Sequence, residues 1–163
     1  MPASPPEIDA LYRRHGGVVL RRIRRFYRDP VESEDVLQEV FVRVMDKLST
    51  FRGDSSMTTW LYQLTTRHCL NRLRNEGRRR ELLLQEGGVD WSAPTRDASQ
   101  EREVLFRSLW KVLDEDLVEI GIYYHLDGMT HDEIARIVGV SRRTVGNRLV
   151  ELESQAKAAG GVS

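Results

Sequence analysis

Thr130-His131-Asp132-Glu133-Ile134-Ala135-Arg136-Ile137-Val138-Gly139-Val140-Ser141-Arg142-Arg143-Thr144-Val145-Gly146-Asn147-Arg148-Leu149 is the stretch that decides the fold. Its first four residues read as a capping box: the threonine caps a helix and the glutamate three positions on reaches back. Ile134, Ala135 and Val138 then give a short amphipathic helix, with Ala135 the small residue that a close helix approach requires. Gly139 suits a left-handed stop. Val140 is placed to pack, and Ser141 to cap the next helix. Val145, Leu149 and Leu152 make the buried face of that helix, and Arg142, Arg143, Thr144, Asn147 and Arg148 its other face. The register of cap, helix, glycine, cap and helix predicts a helix-turn-helix whose second helix suits the major groove. Arginine can grip guanine edges and asparagine adenine edges. The competing reading is a structural helical hairpin.

Upstream, the apolar residues fall into helical rather than strand periods. Ile8, Leu11, Tyr12, Val18, Val19, Ile23 and Phe26 predict a helix over residues 7–28, ended by Asp29-Pro30 because proline disfavours helix in the residue before it. A second helix is expected to be capped by Ser33, with Val36, Leu37, Val40, Phe41, Val44, Met45 and Leu48 as its apolar stripe. Phe51-Arg52-Gly53-Asp54-Ser55-Ser56 reads as a loop with a cap, and a third helix is expected over 57–75 with Trp60, Leu61, Leu64 and Leu70 available for packing. From 76 to 100 the pattern is broken by Gly77, Gly87, Gly88, Ser92, Pro94 and Ser99, which reads as a flexible linker holding Trp91 and a short helix over 79–85. Helical patterning resumes with Val104, Leu105, Leu109, Val112 and Leu113, then Leu117, Ile120, Tyr124 and Leu126. The expected fold class is all-α, with two small helical domains, 7–75 and 101–156, joined by the 76–100 linker.

Composition narrows the function. The chain has 163 residues, 40% hydrophobic and 31% charged, which is too apolar for a disordered chain. The N-terminus lacks the basic start and apolar core of a secretory signal, and no apolar run is long enough to cross a bilayer. Cys69 alone can form neither an internal disulfide nor a cysteine-based metal cluster, and a reducing cytoplasm is expected. His15, His68, His125 and His131 have no metal-ligand spacing. Nucleophile–base pairs and phosphate-cradling loops are also missing from the sequence, so it predicts no enzyme, no cofactor and no small-molecule substrate.

The formal net charge is zero, but the charges come in blocks. Arginines 13, 14, 21, 22, 24, 25 and 28 have no acid among them; Asp29, Glu32, Glu34, Asp35, Glu39 and Asp46 face only Arg43 and Lys47; then Arg52, Arg67, Arg72, Arg74, Arg78, Arg79 and Arg80 restore a basic balance. Segregated blocks suggest faces of opposite sign and two kinds of partner, a phosphate backbone among them. Solvated faces pairing with each other is the plainer reading.

Two motifs make the sequence recognisable. Glu34-Asp35-Val36-Leu37-Gln38-Glu39-Val40-Phe41, followed by Phe51-Arg52-Gly53-Asp54-Ser55-Ser56-Met57-Thr58-Thr59-Trp60-Leu61, resembles region two of the extracytoplasmic-function (ECF) sigma factors of the sigma-70 family; Asp127 to Leu149 resembles their region four. The resemblance covers about residues 9–75 and 104–152. It implies a factor that binds bacterial core RNA polymerase and directs initiation at promoter DNA. It further implies that Asp35, Gln38 and Glu39 dock on the polymerase's largest subunit. Phe51, Arg52, Gly53, Asp54, Ser55 and Ser56, then Trp60, Gln63, Arg67, Asn71 and Arg74, would read the single-stranded minus-ten element. Ser141, Arg142, Arg143, Thr144, Asn147 and Arg148 would read the minus-thirty-five duplex. An anti-sigma protein is implied as a further partner.

The chain departs from the family at Val112-Leu113-Asp114-Glu115, which lacks the usual Leu-Pro step, and at Ser141-Arg142-Arg143 and Gly146-Asn147-Arg148 in the recognition helix. A glycine inside that helix costs about 1 kcal/mol relative to alanine and suggests close backbone approach to DNA. A linker of about 25 residues reaches roughly 80 Å, enough to pass a helical turn of DNA of about 34 Å. Two rival readings compete with this one. A dimeric helix-turn-helix regulator explains only the C-terminal half, and an adaptor that binds polymerase without reading DNA leaves the recognition helix idle.

Overall fold

The computed structural model describes residues 4–86 and 113–160. The described residues are helical and contain no strand. Helices are α1 (Pro5–Ile23), α2 (Pro30–Lys47), α3 (Met57–Gln85), α4 (Glu115–Gly121), α5 (His131–Val138) and α6 (Arg142–Gly160). A 3-10 turn at Leu48–Thr50 ends α2, and a wide π turn at Ile122–Leu126 extends α4. The chain divides into two compact units, Met1–Leu70 and Asn71–Ser163. Trp91, most of the 76–100 linker and the helical pattern from Val104 to Val112 lie outside the described residues.

In the first unit, α1 packs on α2. Val19, Ile23 and Tyr27, then Val36, Leu37, Val40, Phe41 and Val44, and then Leu61, Cys69 and Leu70 of α3 form the core. The α1–α2 corner differs from expectation. Regular helix stops at Ile23, and Asp29-Pro30 opens α2 as well as closing the preceding turn. Asp29 is the cap, its carboxylate accepting from the N–H groups of Val31 (2.7 Å) and Glu32 (3.2 Å). Pro30 takes the first helical position, where its missing N–H is harmless. Ser33, expected as the cap, lies buried inside α2 and donates its hydroxyl to the carbonyls of Tyr27 (3.0 Å) and Asp29 (2.8 Å). Met45, read as part of the apolar stripe, is 37% exposed at its margin.

The basic first helix contributes a core residue. Arg22 is 4% exposed: its Nε donates to Thr66 Oγ1 at 3.0 Å, and its guanidinium lies over the Tyr62 ring (4.3 Å) and the Phe26 ring (5.1 Å). A planar cation between aromatic faces retains favourable electrostatics when its water is removed. This contact ties α1 to α3. The other arginines between 13 and 28 are exposed.

Helix α3 continues through Asn75, the expected end, and through the first ten residues assigned to the linker, as far as Gln85. The glycine penalty at Gly77, about 1 kcal/mol, is set against good helix formers on both sides. An i,i+4 pair of Arg72 Nε with Glu76 Oε1 at 2.7 Å adds support beside it.

In the second unit, α4 and α5 both pack on α6. Leu117, Val118, Ile120, Ile122 and Tyr123 are buried with Ile134, Val145 and Leu149. Glu119, 1% exposed, accepts the Tyr123 hydroxyl at 2.9 Å. Gly121 allows the close pass of α6, since a Cβ there would meet Leu152 Cδ2. Tyr124 and Leu126, expected on the apolar face, are instead 41% and 55% exposed. The π turn takes more residues per turn than an α-helix, so a 3.6-residue count misplaces the face beyond Gly121.

Candidate nucleic-acid and polymerase interfaces

The helix-turn-helix forms as its punctuation dictates. The Thr130 N–H donates to Glu133 Oε2 at 2.7 Å and the Glu133 N–H donates to Thr130 Oγ1 at 3.3 Å, closing the capping box. The Thr130 backbone N–H, then its hydroxyl, hold the Glu133 carboxyl below its ordinary value. Gly139 turns the chain at φ +77°. Ser141 caps α6, accepting the Thr144 N–H at 3.1 Å. Val145 and Leu149 are buried, while Ser141, Arg142, Arg143 and Asn147 are exposed and Thr144 and Arg148 half-buried. Two of the three arginines are tethered: Arg142 Nη1 lies 3.7 Å from Asp132 Oδ2, and Arg148 Nη1 lies 3.4 Å from Asp116 Oδ2. Gly146 lies half-buried beside the start of α5. A Cβ there would lie 3.8 Å from His131 Cε1, in ordinary contact with the start of α5.

In the first unit the 51–56 loop is held at both ends. Phe51 and Trp60 rest against each other, ring centroids 5.5 Å apart, and both are half-buried. Trp60 therefore belongs to the loop's aromatic base. Gly53 adopts φ +77°, which a non-glycine residue rarely does. Ser56 caps α3, accepting the Thr59 N–H at 3.1 Å. Arg52, Gly53, Asp54 and Ser56 are exposed, and Ser55 is half-buried. Along α3, Arg67 is exposed and Gln63, Asn71 and Arg74 are half-buried. Arg74 is engaged inside the protein, Nη2 donating to the Leu113 carbonyl at 3.4 Å and Nη1 lying 3.8 Å from Glu115.

On α2, Asp35, Gln38 and Glu39 form an exposed polar row. Sequence reasoning missed the apolar part of this face: Val42, 58% exposed, continues the row one turn on, with Met45 beyond it. The signal was present, because Val42 lies off the stripe of Val36, Val40 and Val44. Glu39 is not simply solvated; its Oε2 lies 2.9 Å from Nε2 of His68 on α3. Among the described residues no helix is long and apolar enough to cross a membrane, and no three side chains are grouped to hold a metal ion.

A capped helix-turn-helix with an Arg/Asn-bearing second helix, on the same chain as a helical unit with an exposed acidic row, defines a DNA-binding transcription protein. Comparison with known proteins gives the particular kind. The family model for Sigma-70 region 2 matches residues 11–79, and that for Sigma-70 region 4 matches residues 122–151. The chain is 29% identical to the RNA polymerase sigma-H factor of Pseudomonas aeruginosa over 153 residues, covering 86% of this chain and 79% of that one. It is 32% identical to the ECF RNA polymerase sigma-E factor of Haemophilus influenzae over 127 residues, 71% of this chain and 67% of that one. Its fold is similar to that of the Bartonella quintana sigma factor RpoE, solved in complex with the anti-sigma factor NepR (TM-score 0.52, 20% identity, 93% of this chain and 98% of that one). The chain belongs to the ECF group of the sigma-70 family. It is a transcription initiation factor that binds RNA polymerase and directs promoter-specific initiation.

Proposed function

We propose that two regions of the chain divide this work, with residues 7–75 acting as region two, 76–100 as linker and 101–156 as region four. Asp35, Gln38 and Glu39, joined by Val42, dock on the polymerase's largest subunit. The 51–56 loop on its Phe51–Trp60 base captures an extruded minus-ten base by stacking and edge hydrogen bonds, while Gln63, Arg67 and Asn71 follow the strand. Arg74 joins them only by leaving Glu115. Ser141, Arg142, Arg143, Thr144, Asn147 and Arg148 read the minus-thirty-five major groove. The factor acts in the cytoplasm, carries out no catalysis of its own, and is restrained by an anti-sigma protein, as the NepR complex of the Bartonella sigma factor suggests.

The observation that carries this reading is one chain with an exposed acidic row on α2 and an exposed Arg/Asn face on a capped α6. The test is transcription by purified core polymerase supplied with this chain and a promoter library. Discrete starts preceded by two shared upstream elements support it. No initiation, with a core preparation that a known sigma factor activates, refutes it.

A further inference from the structure

We infer that His68 is a positioning residue that pre-sets Glu39 for docking on the polymerase. This rests on the proposed docking role of the α2 row. His68 is 7% exposed and sits on α3 between Arg67, which is exposed, and Cys69 and Leu70, which are in the core. Its Nε2 meets Glu39 Oε2 at 2.9 Å, while the Glu39 side chain stays 46% exposed. One carboxylate oxygen is therefore held from beneath while the side chain stays about half exposed. The two residues share the wall of a shallow groove with Val42, Arg43, Asp46 and Lys47, so the held carboxylate stands at the edge of the apolar part of the docking face.

A glutamate on a bare helix surface samples many rotamers and loses them on docking. A buried donor that has already fixed the rotamer removes that cost at the interface. The gain from one pre-immobilised side chain is about 2- to 10-fold in affinity. The same contact also joins α2 to α3, but a merely structural tie would show as a fall in the thermal melt, whereas positioning shows as a loss of polymerase affinity with the melt retained.

The experiment measures the affinity of the intact chain for core polymerase, beside its thermal melt. The variants are Glu39→Ala, His68→Leu, His68→Gln and His68→Asn, with His68→Leu also placed in the Glu39→Ala background. Leucine removes the donor at similar volume, glutamine keeps an N–H within reach of the carboxylate, and asparagine is too short. His68→Leu and His68→Asn should lose about 3- to 10-fold in affinity, and His68→Gln should stay within about twofold. His68→Leu should cost nothing more once Glu39 is alanine. If His68→Leu fails to fold, the glutamine–asparagine contrast still decides. Equal losses in the glutamine and asparagine variants, or an undiminished His68→Leu loss in the Glu39→Ala background, overturn the inference while leaving the docking reading intact. Wild-type affinity in Glu39→Ala overturns the docking role of Glu39 and the inference with it.

Discussion

Gly146→Ala separates two explanations of a glycine inside the recognition helix. If it were there to let DNA approach the backbone, a methyl group would obstruct binding. The structure puts that methyl elsewhere. A Cβ at 146 would lie 3.8 Å from Cε1 and 3.9 Å from Nδ1 of His131, ordinary contacts that require nothing to shift. Position 146 is helical and half-buried, between the exposed face of Arg143 and Asn147 and the buried face of Val145 and Leu149. Alanine then gains the helix propensity that glycine forfeits, about 1 kcal/mol, much of it by narrowing the unfolded ensemble. For a small cooperative domain, about 1 kcal/mol corresponds to a rise in melting temperature of roughly 4–8 °C. The assay is a thermal melt of the intact chain, with duplex binding to a minus-thirty-five site measured by fluorescence anisotropy. The expected result is a higher melting temperature with binding affinity unchanged. A lower melting temperature would refute the packing argument. A tenfold loss of duplex binding with the stability gain intact would refute the placement of Gly146 away from DNA.

Other perturbations follow from the same geometry. Replacing Arg142 and Arg143 together with alanine should weaken minus-thirty-five duplex binding by about 1–3 kcal/mol for each lost base contact. It should also flatten the salt dependence by about 0.9 for each lost phosphate contact; core-polymerase affinity, measured in parallel, should not move. Val42→Asp should leave the melt unchanged, because the side chain is 58% exposed, and should cut polymerase affinity by about tenfold or more through a carboxylate placed in an apolar contact. Arg22→Met keeps the aliphatic stem but loses the Thr66 hydrogen bond and the stacking on Tyr62 and Phe26; a loss of about 2 kcal/mol in denaturant unfolding is expected. Because the capping box depresses the folded-state value of Glu133, its contribution is present above the ordinary carboxyl value of 4.5 and fades as pH falls through the lower folded value. The melting difference between wild type and Glu133→Ala should therefore be open at neutral pH and close in acid.

Local punctuation was the most legible part of the chain. Thr130, Glu133, Gly139 and Ser141 each act through a short-range bond or a backbone preference, so their spacing alone announces the helix-turn-helix. The α2 stripe was legible for the same reason, because residues three and four apart share a face whatever surrounds them. Four features were not legible. Asp29-Pro30 is both a stop and a start, and reading the proline only as a stop left Ser33 as the expected cap. The π turn at Ile122–Leu126 changes the residue period, and no composition signal marks where the period changes. Arg22 reads as one more cation in a basic run; its burial depends on Tyr62 and Thr66, some 40 residues away. Glu39 was assigned to its face from the row it stands in, but its bond to His68 joins two helices and leaves no trace in either one's pattern.

The zero net charge takes on a meaning once the pairs are placed. Arg142 and Arg148 of the recognition helix face Asp132 and Asp116, both on the helices that hold it. These pairs are largely exposed, so each contributes at most about 1 kcal/mol and is screened by salt. That is less than the roughly 1–3 kcal/mol a bidentate base contact returns, so a matching site can displace the aspartates. Non-specific duplex offers phosphates alone, and there the competing carboxylates remove part of the gain. On the proposed reading, an arginine face shadowed by acids on its own scaffold would bind DNA weakly in general and more strongly where bases match. That would suit a factor that reaches its promoter together with the polymerase.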